Sequence, residues 1–152
     1  MDDLITQPEI KRGNFWEDIN FDFSYLKNRK LYIHHTLVGV TAATAANYAV
    51  FWIAPFRCTI TGFWEVHQTL GTDAGAVTLQ LEKLASGQAL DAGVEVLSTA
   101  LSLKATIDTV QTGGITNTIA NRNLTKGDRL ALKDAGVLTA VANVTTVTEI
   151  LF

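Results

Sequence analysis

Apolar and polar residues alternate with a period of two along most of the second half of the chain. In "VTLQLEKL" (77–84), Val77, Leu79 and Leu81 alternate with Thr78, Gln80 and Glu82. That spacing predicts a strand with one face on a core and the other in water. "LSLKATI" (101–107) repeats the pattern, with Leu101, Leu103, Ala105 and Ile107 set against Ser102, Lys104 and Thr106. "DRLALK" (128–133) sends Leu130 and Leu132 inward and Arg129 and Lys133 outward. The run "VLTAVANVTTVTEILF" (137–152) is β-branched and free of Gly and Pro, which predicts a central strand. Its alternation falters at Thr145–Thr146, where a bulge would shift the inward face by one residue.

Further upstream, "RCTITGFWEVHQ" (57–68) places Cys58, Ile60, Trp64 and Val66 at one parity. "NYAVFWIAPF" (47–56) predicts a strand ended by Pro55, which cannot donate to a ladder. "LYIHHTLVGV" (31–40) predicts another. Apart from a weak chance of a turn in "LEKLASGQAL", an apolar stripe of helical period is missing from the chain. About seven short strands with turn signals between them predict an antiparallel β-sandwich or barrel.

The tripeptide Asp-Ala-Gly punctuates these strands three times, in "GTDAGAV" (71–77), "LDAGVEV" (90–96) and "KDAGVLT" (133–139). One reading makes each Asp a metal ligand. Calcium takes about six to eight oxygens, and each loop offers one carboxylate. The favoured reading is turn chemistry: Asp accepts backbone N–H groups at the start of a hairpin loop, and Gly75, Gly93 and Gly136 supply positive φ.

Composition sharpens the picture at the N-terminal end. Twelve of the thirteen aromatic residues lie between Phe15 and Trp64, and the other is Phe152. The chain therefore divides into a ring-rich first part and a Thr/Ala/Val/Leu second part. Its 152 residues fit one domain able to bury roughly two-thirds of its unfolded surface. A net charge of −3 with scattered cations argues against nucleic-acid binding. Cys58 is the one cysteine, so an internal disulfide and a cysteine-based zinc site are both excluded. A basic-then-apolar leader is missing from "MDDLITQPEI", and no run approaches the roughly 18–20 apolar residues of a membrane span. A protein made in the cytoplasm with no membrane partner is expected.

From Phe51 onward the sequence resembles the small virion proteins of tailed bacteriophages. "FWIAPFRCTITGFWEVHQTLGTDAGAVTLQLEKL", "VLSTALSLKATIDTVQ" and "NLTKGDRLALKDAGVLTAVANVTTVTEI" carry the likeness. An aromatic-Ile-Ala-Pro strand end, a "GTDAGAV" hairpin, a "VLS…LSL" pair and a "GDRL" strand start occur there in the family's order. The resemblance covers about two-thirds of the chain and implies a jelly-roll β-sandwich of the capsid decoration (cement) or head-fibre type. It also implies a homotrimer on the particle surface, with the major capsid protein or another virion protein as partner. The expected division is an N-terminal attachment segment, 1–30, and a sandwich, 31–152.

Chemistry-bearing residues weigh little. His34 and His35 are neighbours, so a strand points them to opposite faces. Cys58 and His67 stand at opposite parity and more than ~20 Å apart on a regular strand at roughly 3.3 Å per residue. A nucleophile and its base must be within hydrogen-bond reach. A nucleophile elbow and a phosphate loop are both missing. The expectation is a non-enzymatic protein with no cofactor, no metal and no catalytic residues. Interaction chemistry gathers in "GNFWEDINFDFSYLKNRKLY" (13–32), where Phe15, Trp16, Phe21, Phe23 and Tyr25 are the candidate partner-binding residues. The bland alternative for this stretch is a further strand that covers a sheet edge. A different functional class is a glycan-binding host-recognition module, with Trp16, Trp52 or Trp64 stacking on a sugar; Trp52 and Trp64 are expected in the core. A hydrolase on the same scaffold has no sequence feature in its support.

Overall fold

The structure, a computed structural model, describes residues 29–37, 49–72, 74–136 and 141–152. Among these lie ten strands and one short helix. In chain order they are β1 Lys30–Leu37, β2 Ala49–Ile53, β3 Cys58–Val66, β4 Thr78–Leu84, β5 Val94–Glu95 and β6 Leu101–Ser102. β7 Gln111–Thr112, α1 Ile119–Arg122, β8 Asn123–Leu124, β9 Arg129–Ala135 and β10 Val144–Leu151 complete them. They form two five-stranded sheets, one ordered β1-β10-β3-β7 with β8 beside β3, the other β2-β9-β4-β5 with β6 beside β4. Every ladder is antiparallel. The expected antiparallel β-sandwich is what the chain forms.

The core lies between the sheets and is built from Ile60, Phe63, Leu79, Leu81, Leu130, Leu132 and Ile150, together with Leu97, Leu103 and Leu124. Alternation places most of them as the sequence predicts. β10 is central in its sheet, as expected, yet its irregularity is elsewhere. Val144, Thr146, Thr148 and Ile150 are all buried, so its inward face runs unbroken through Thr145–Thr146. Two threonines, Thr146 and Thr148, stand in the core, the first of them where the sequence suggests a slip. Thr146 Oγ1 donates to His35 O at 3.3 Å, while Thr148 Oγ1 has no hydrogen-bond partner among the described residues.

The slip belongs to the partner strand. Ile150 pairs with Ile60 and Glu149 with Gly62, which leaves Thr61 as an extra residue in β3. A bulge of this kind reverses which parity faces inward. Before it, Cys58 and Ile60 are buried; after it, Phe63, Glu65 and His67 are buried, while Trp64 and Val66 are half-buried. The single-parity reading of 57–68 is therefore corrected: Phe63 fills the core at 0% exposure and Trp64 lies on the outer face.

β4 also departs from the half-exposed strand predicted, since Gln80 and Glu82 are buried with their apolar neighbours. Each is satisfied by a distant loop. Gln80 Oε1 accepts from Leu97 N at 2.9 Å and its Nε2 donates to Leu97 O at 3.2 Å. Glu82 accepts from Asp91 N at 3.1 Å and from Gly93 N at 2.8 Å. The predicted strand 101–107 shortens to β6, after which Leu103 is buried and the chain turns.

Only the second Asp-Ala-Gly copy joins two paired strands, β4 and β5, and it does so by other atoms than expected; the first lies between β3 and β4, which belong to different sheets. In the second copy the turn's N–H groups are capped by Glu82 across the sheet, and the Asp91 carboxylate pairs with Lys133. Asp91 itself takes the left-handed conformation, at φ 65°. Gly93 is required for a close approach instead: a Cβ there would lie 2.3 Å from Lys83 O. In the third copy Gly136 has the expected positive φ, 87°. However, Asp134 and Ala135 end β9, and β9 and β10 belong to different sheets, so the segment crosses the sandwich and is no hairpin. Asp73 of the first copy lies outside the described residues.

The bulge makes a sharp prediction about two adjacent rings. Phe63→Ala should cost about 3–5 kcal/mol, as for other fully buried aromatics, and Trp64→Ala markedly less. Urea unfolding monitored by circular dichroism measures both. Equal losses, or the greater loss at Trp64, would contradict the assigned face.

Candidate interaction surface

The N-terminal candidates Phe15, Trp16, Phe21, Phe23 and Tyr25 lie outside the described residues. The described surface that stands out is the outer face of the β1-β10-β3-β7 sheet. Register places His34 beside Val147 and Val147 beside Trp64 in one row across it. Thr36, Thr145 and Val66 make the next row, and Tyr32, Glu149 and Gly62 the row on the other side. Between Trp64, Val66, Val110, Thr145 and Val147 lies a shallow hollow of about 130 Å³, to whose lining Glu65 also contributes. Val110, in its lining, is 64% exposed.

Local sequence explains the shape. Gly62 carries no side chain because the Trp64 ring occupies that space: a Cβ on Gly62 would lie 2.5 Å from the ring. Trp64 is thus flattened against its own sheet rather than standing free. The polar side of the face is held by Glu149, which accepts from Thr61 Oγ1 at 2.7 Å and from Lys30 Nζ at 3.1 Å. The Thr61 hydrogen bond, with Lys30 beside it, holds the Glu149 carboxyl below its ordinary range. An apolar floor with a satisfied polar rim is the anatomy of a contact surface.

Beneath the hollow is a buried polar network that the sequence did not single out as a unit. His67 Nδ1 lies 2.8 Å from Glu65 Oε1, and His67 Nε2 lies 3.1 Å from Ala105 O. Gln111 Nε2 donates to the other Glu65 oxygen at 2.6 Å, and Asp108 N donates to His67 O at 2.9 Å. Both side chains of the pair are wholly buried. The network clamps the 105–111 segment onto β3 and so fixes Val110 at the rim of the hollow. Its signal in the sequence was the "EVH" spacing: residues two apart share a strand face.

Cys58 and His67 turn out to share the inward face, because the bulge between them cancels the parity difference. Distance still separates them: β3 runs nine residues from Cys58, about 30 Å at roughly 3.3 Å per residue. Burial, with the Asp128 charge nearby, pushes the Cys58 thiol up to about 11. It is a packed thiol, remote from the imidazole. Among the described residues no group of three or more His, Cys, Asp or Glu is placed to hold a metal ion. His34 and His35 do take opposite faces: His34 is exposed, while His35 stacks on Phe51 with ring centroids 5.0 Å apart. Trp52 packs against the core as expected, whereas Trp64 does not join it.

No family model and no curated protein matches the sequence. A chain in the cyanophage Pam1 capsid asymmetric unit is similar in structure, with a TM-score of 0.57 and 13% identity. The similarity covers 83% of this chain and 86% of that one. A chain of the capsid of Ralstonia phage GP4 is similar with a TM-score of 0.56 and 14% identity, over 82% of this chain and 83% of that one. At these identities the likeness is one of fold.

His35 gives the sandwich a pH response of known sign. Burial lowers its affinity for a proton below the ordinary value of 6.5, so the unfolded chain binds that proton first as pH falls. The stability tied to His35 is complete above pH 6.5 and declines as pH drops through and below it. Urea unfolding between about pH 5 and 8 should show this slope in the natural chain and lose it in His35→Phe. An unchanged slope in the variant would contradict the assignment.

Proposed function

We propose that this chain is a non-enzymatic structural protein of a bacteriophage virion, specifically a decoration or cement protein bound to the head surface. The observation that carries the reading is that two chains from phage capsids have this fold over more than four-fifths of both lengths. The strand order supports a jelly roll, since first, last, third and seventh strands interleave in one sheet and second, ninth, fourth and fifth in the other. The partner is the major capsid protein or another virion protein, and the subunit count, three, follows from the sequence resemblance. The protein is made in the host cytoplasm and comes to lie on the outside of the particle.

Two contact elements serve this role. The N-terminal segment supplies Phe15, Trp16, Phe21, Phe23 and Tyr25, rings that give large contact area at modest entropy cost. The sandwich supplies the hollow beside Trp64 and the edges of its sheets. In a trimer three such arms act together, and linked weak contacts multiply affinity by roughly 10²–10⁴ when all can engage. Bond-making chemistry has no part in it.

A second reading is favoured by the position of Trp64, half-buried at an open hollow where one face of a sugar ring could lie. Under it the chain recognises a host glycan, and saturable binding to host cells would fall away in Trp64→Ala.

Deleting residues 1–26 should leave a folded sandwich that no longer cosediments with capsids lacking the protein, while the full chain binds to saturation. Cosedimentation of the truncated chain at full occupancy would defeat the arm's role in attachment.

A further inference from the structure

Register sets His35, Thr146, Glu65 and Gln111 in one row across the inner face of the β1-β10-β3-β7 sheet. His67 takes the next inward position after Glu65, just past the end of β3. The side chains of Glu65 and His67 are both 0% exposed. Oxygen atoms surround them. His67 Nδ1 lies 2.8 Å from Glu65 Oε1, and Nε2 lies 3.1 Å from Ala105 O. Gln111 Nε2 donates to Glu65 Oε2 at 2.6 Å and to Ser102 O at 2.8 Å.

Four contacts in this network therefore end on oxygen. A backbone carbonyl and an ionised carboxylate can only accept, so each contact needs its own hydrogen. Gln111 supplies two. A neutral imidazole carries one N–H and supplies a third. One contact is then left with a nitrogen lone pair facing an oxygen, in a site with no exposed surface, where an unmade hydrogen bond is heavily penalised. We propose that Glu65 and His67 together keep one proton more than a carboxylate and a neutral imidazole hold, and that this proton locks the 105–111 segment onto β3. As imidazolium, His67 donates from both nitrogens. With the proton on Glu65 Oε1 instead, the carboxyl donates to Nδ1 while Nε2–H still meets Ala105 O. Either form fills all four contacts and leaves the buried pair with no net charge.

The lock holds one wall of the outer hollow. Ala105 O, the Gln111 amide and the Asp108 N–H, which donates to His67 O at 2.9 Å, tie the segment to β3, and Val110 lies between them. Loss of the proton sets lone pair against oxygen and loosens the segment that keeps Val110 beside Trp64 and Val147. The hollow is thus coupled to pH by a pair it does not expose. Among the described residues the other titratable groups on the elements packed around the pair are His35, Lys104 and Asp108. His35 stands two strands from Glu65 in the same row, and Lys104 and Asp108 are exposed. On the facing sheet, Asp134 stands in register with Leu79. The folded chain keeps a proton that the unfolded chain, with a free histidine, gives up above about pH 6.5. Stability supplied by the lock is complete below that pH and is lost as pH rises above it. The His35 response has the opposite sign and lies on the acid side. The proposal goes beyond the attachment reading and stands whether or not the protein binds a capsid.

Nitrogen-15 NMR of the natural chain, labelled at histidine, tests the lock at about pH 7.5, where a free histidine is roughly nine-tenths neutral. His67, assigned by elimination with His34→Gln and His35→Phe, should show both ring nitrogens protonated, or Nε2 protonated beside a carbon-13 signal of a protonated Glu65 carboxyl. A neutral His67 beside an ionised Glu65 would overturn the proposal. Glu65→Gln gives a second measurement, because its amide can donate to Nδ1 and accept from Gln111 with no extra proton. Between about pH 7 and 8.5 the unfolding constant of the natural chain should rise by up to about ten-fold per pH unit more than that of Glu65→Gln. Equal slopes would rule the lock out. Over the same range the Asp108 amide should lose protection from hydrogen exchange in the natural chain alone, and matching behaviour in both chains would detach the proton from the segment and refute the coupling.

Discussion

Thr61, the residue in excess where β3 pairs with β10, is the constraint on which the rest of this sandwich depends. Side chains along a strand alternate with a period of two, so one inserted residue exchanges the faces of everything after it. Here the exchange puts Phe63 in the core, turns Trp64 onto Gly62 outside, and buries Glu65 and His67 together. The buried pair then clamps the 105–111 segment, which places Val110 beside Trp64 and Val147. Core, outer hollow and loop position all descend from a single local irregularity. Thr61 is also tied to the outer face directly, through its hydrogen bond to Glu149.

Much of the fold was legible because period-two patterns report burial directly. Leu130 and Leu132 in β9, Leu79 and Leu81 in β4, and the stop at Pro55 after β2 are all where alternation and proline chemistry place them. What pattern cannot report is which sheet receives a strand. The "KDAGVLT" corner reads as a hairpin because little chain separates two apolar runs, yet β9 and β10 join opposite sheets. Polar residues hid the rest. Thr146 and Thr148 fill core positions, and Gln80 and Glu82 are buried because the loop that follows β4 supplies their partners. Those partners are backbone groups 9 to 17 residues further along, and a hydropathy pattern does not report which backbone group a polar side chain will meet.

The candidate surface was less legible than the fold. Trp64 sits in so apolar a run that core burial was the natural expectation, and only the bulge brings it outside. Val110, in a Thr- and Gly-rich stretch, gave no sign of meeting β3 and β10. The ring-rich N-terminal segment was conspicuous in the sequence, and it lies outside the described residues. The outer hollow combines apolar contact with a satisfied polar group beside it, a chemistry suited to holding a partner. Many copies acting together would let modest contacts of this sort give firm attachment.

Under the proposed function, this molecule works by surface contact within a phage particle. A cryo-EM reconstruction of the intact virion tests it most directly. The account predicts density for the two-sheet sandwich at every symmetry-equivalent position on the outside of the head, with the 1–28 segment or the Trp64 face against a neighbouring virion protein. A purified particle that lacks the chain altogether, or holds it inside the shell with the genome, would contradict it.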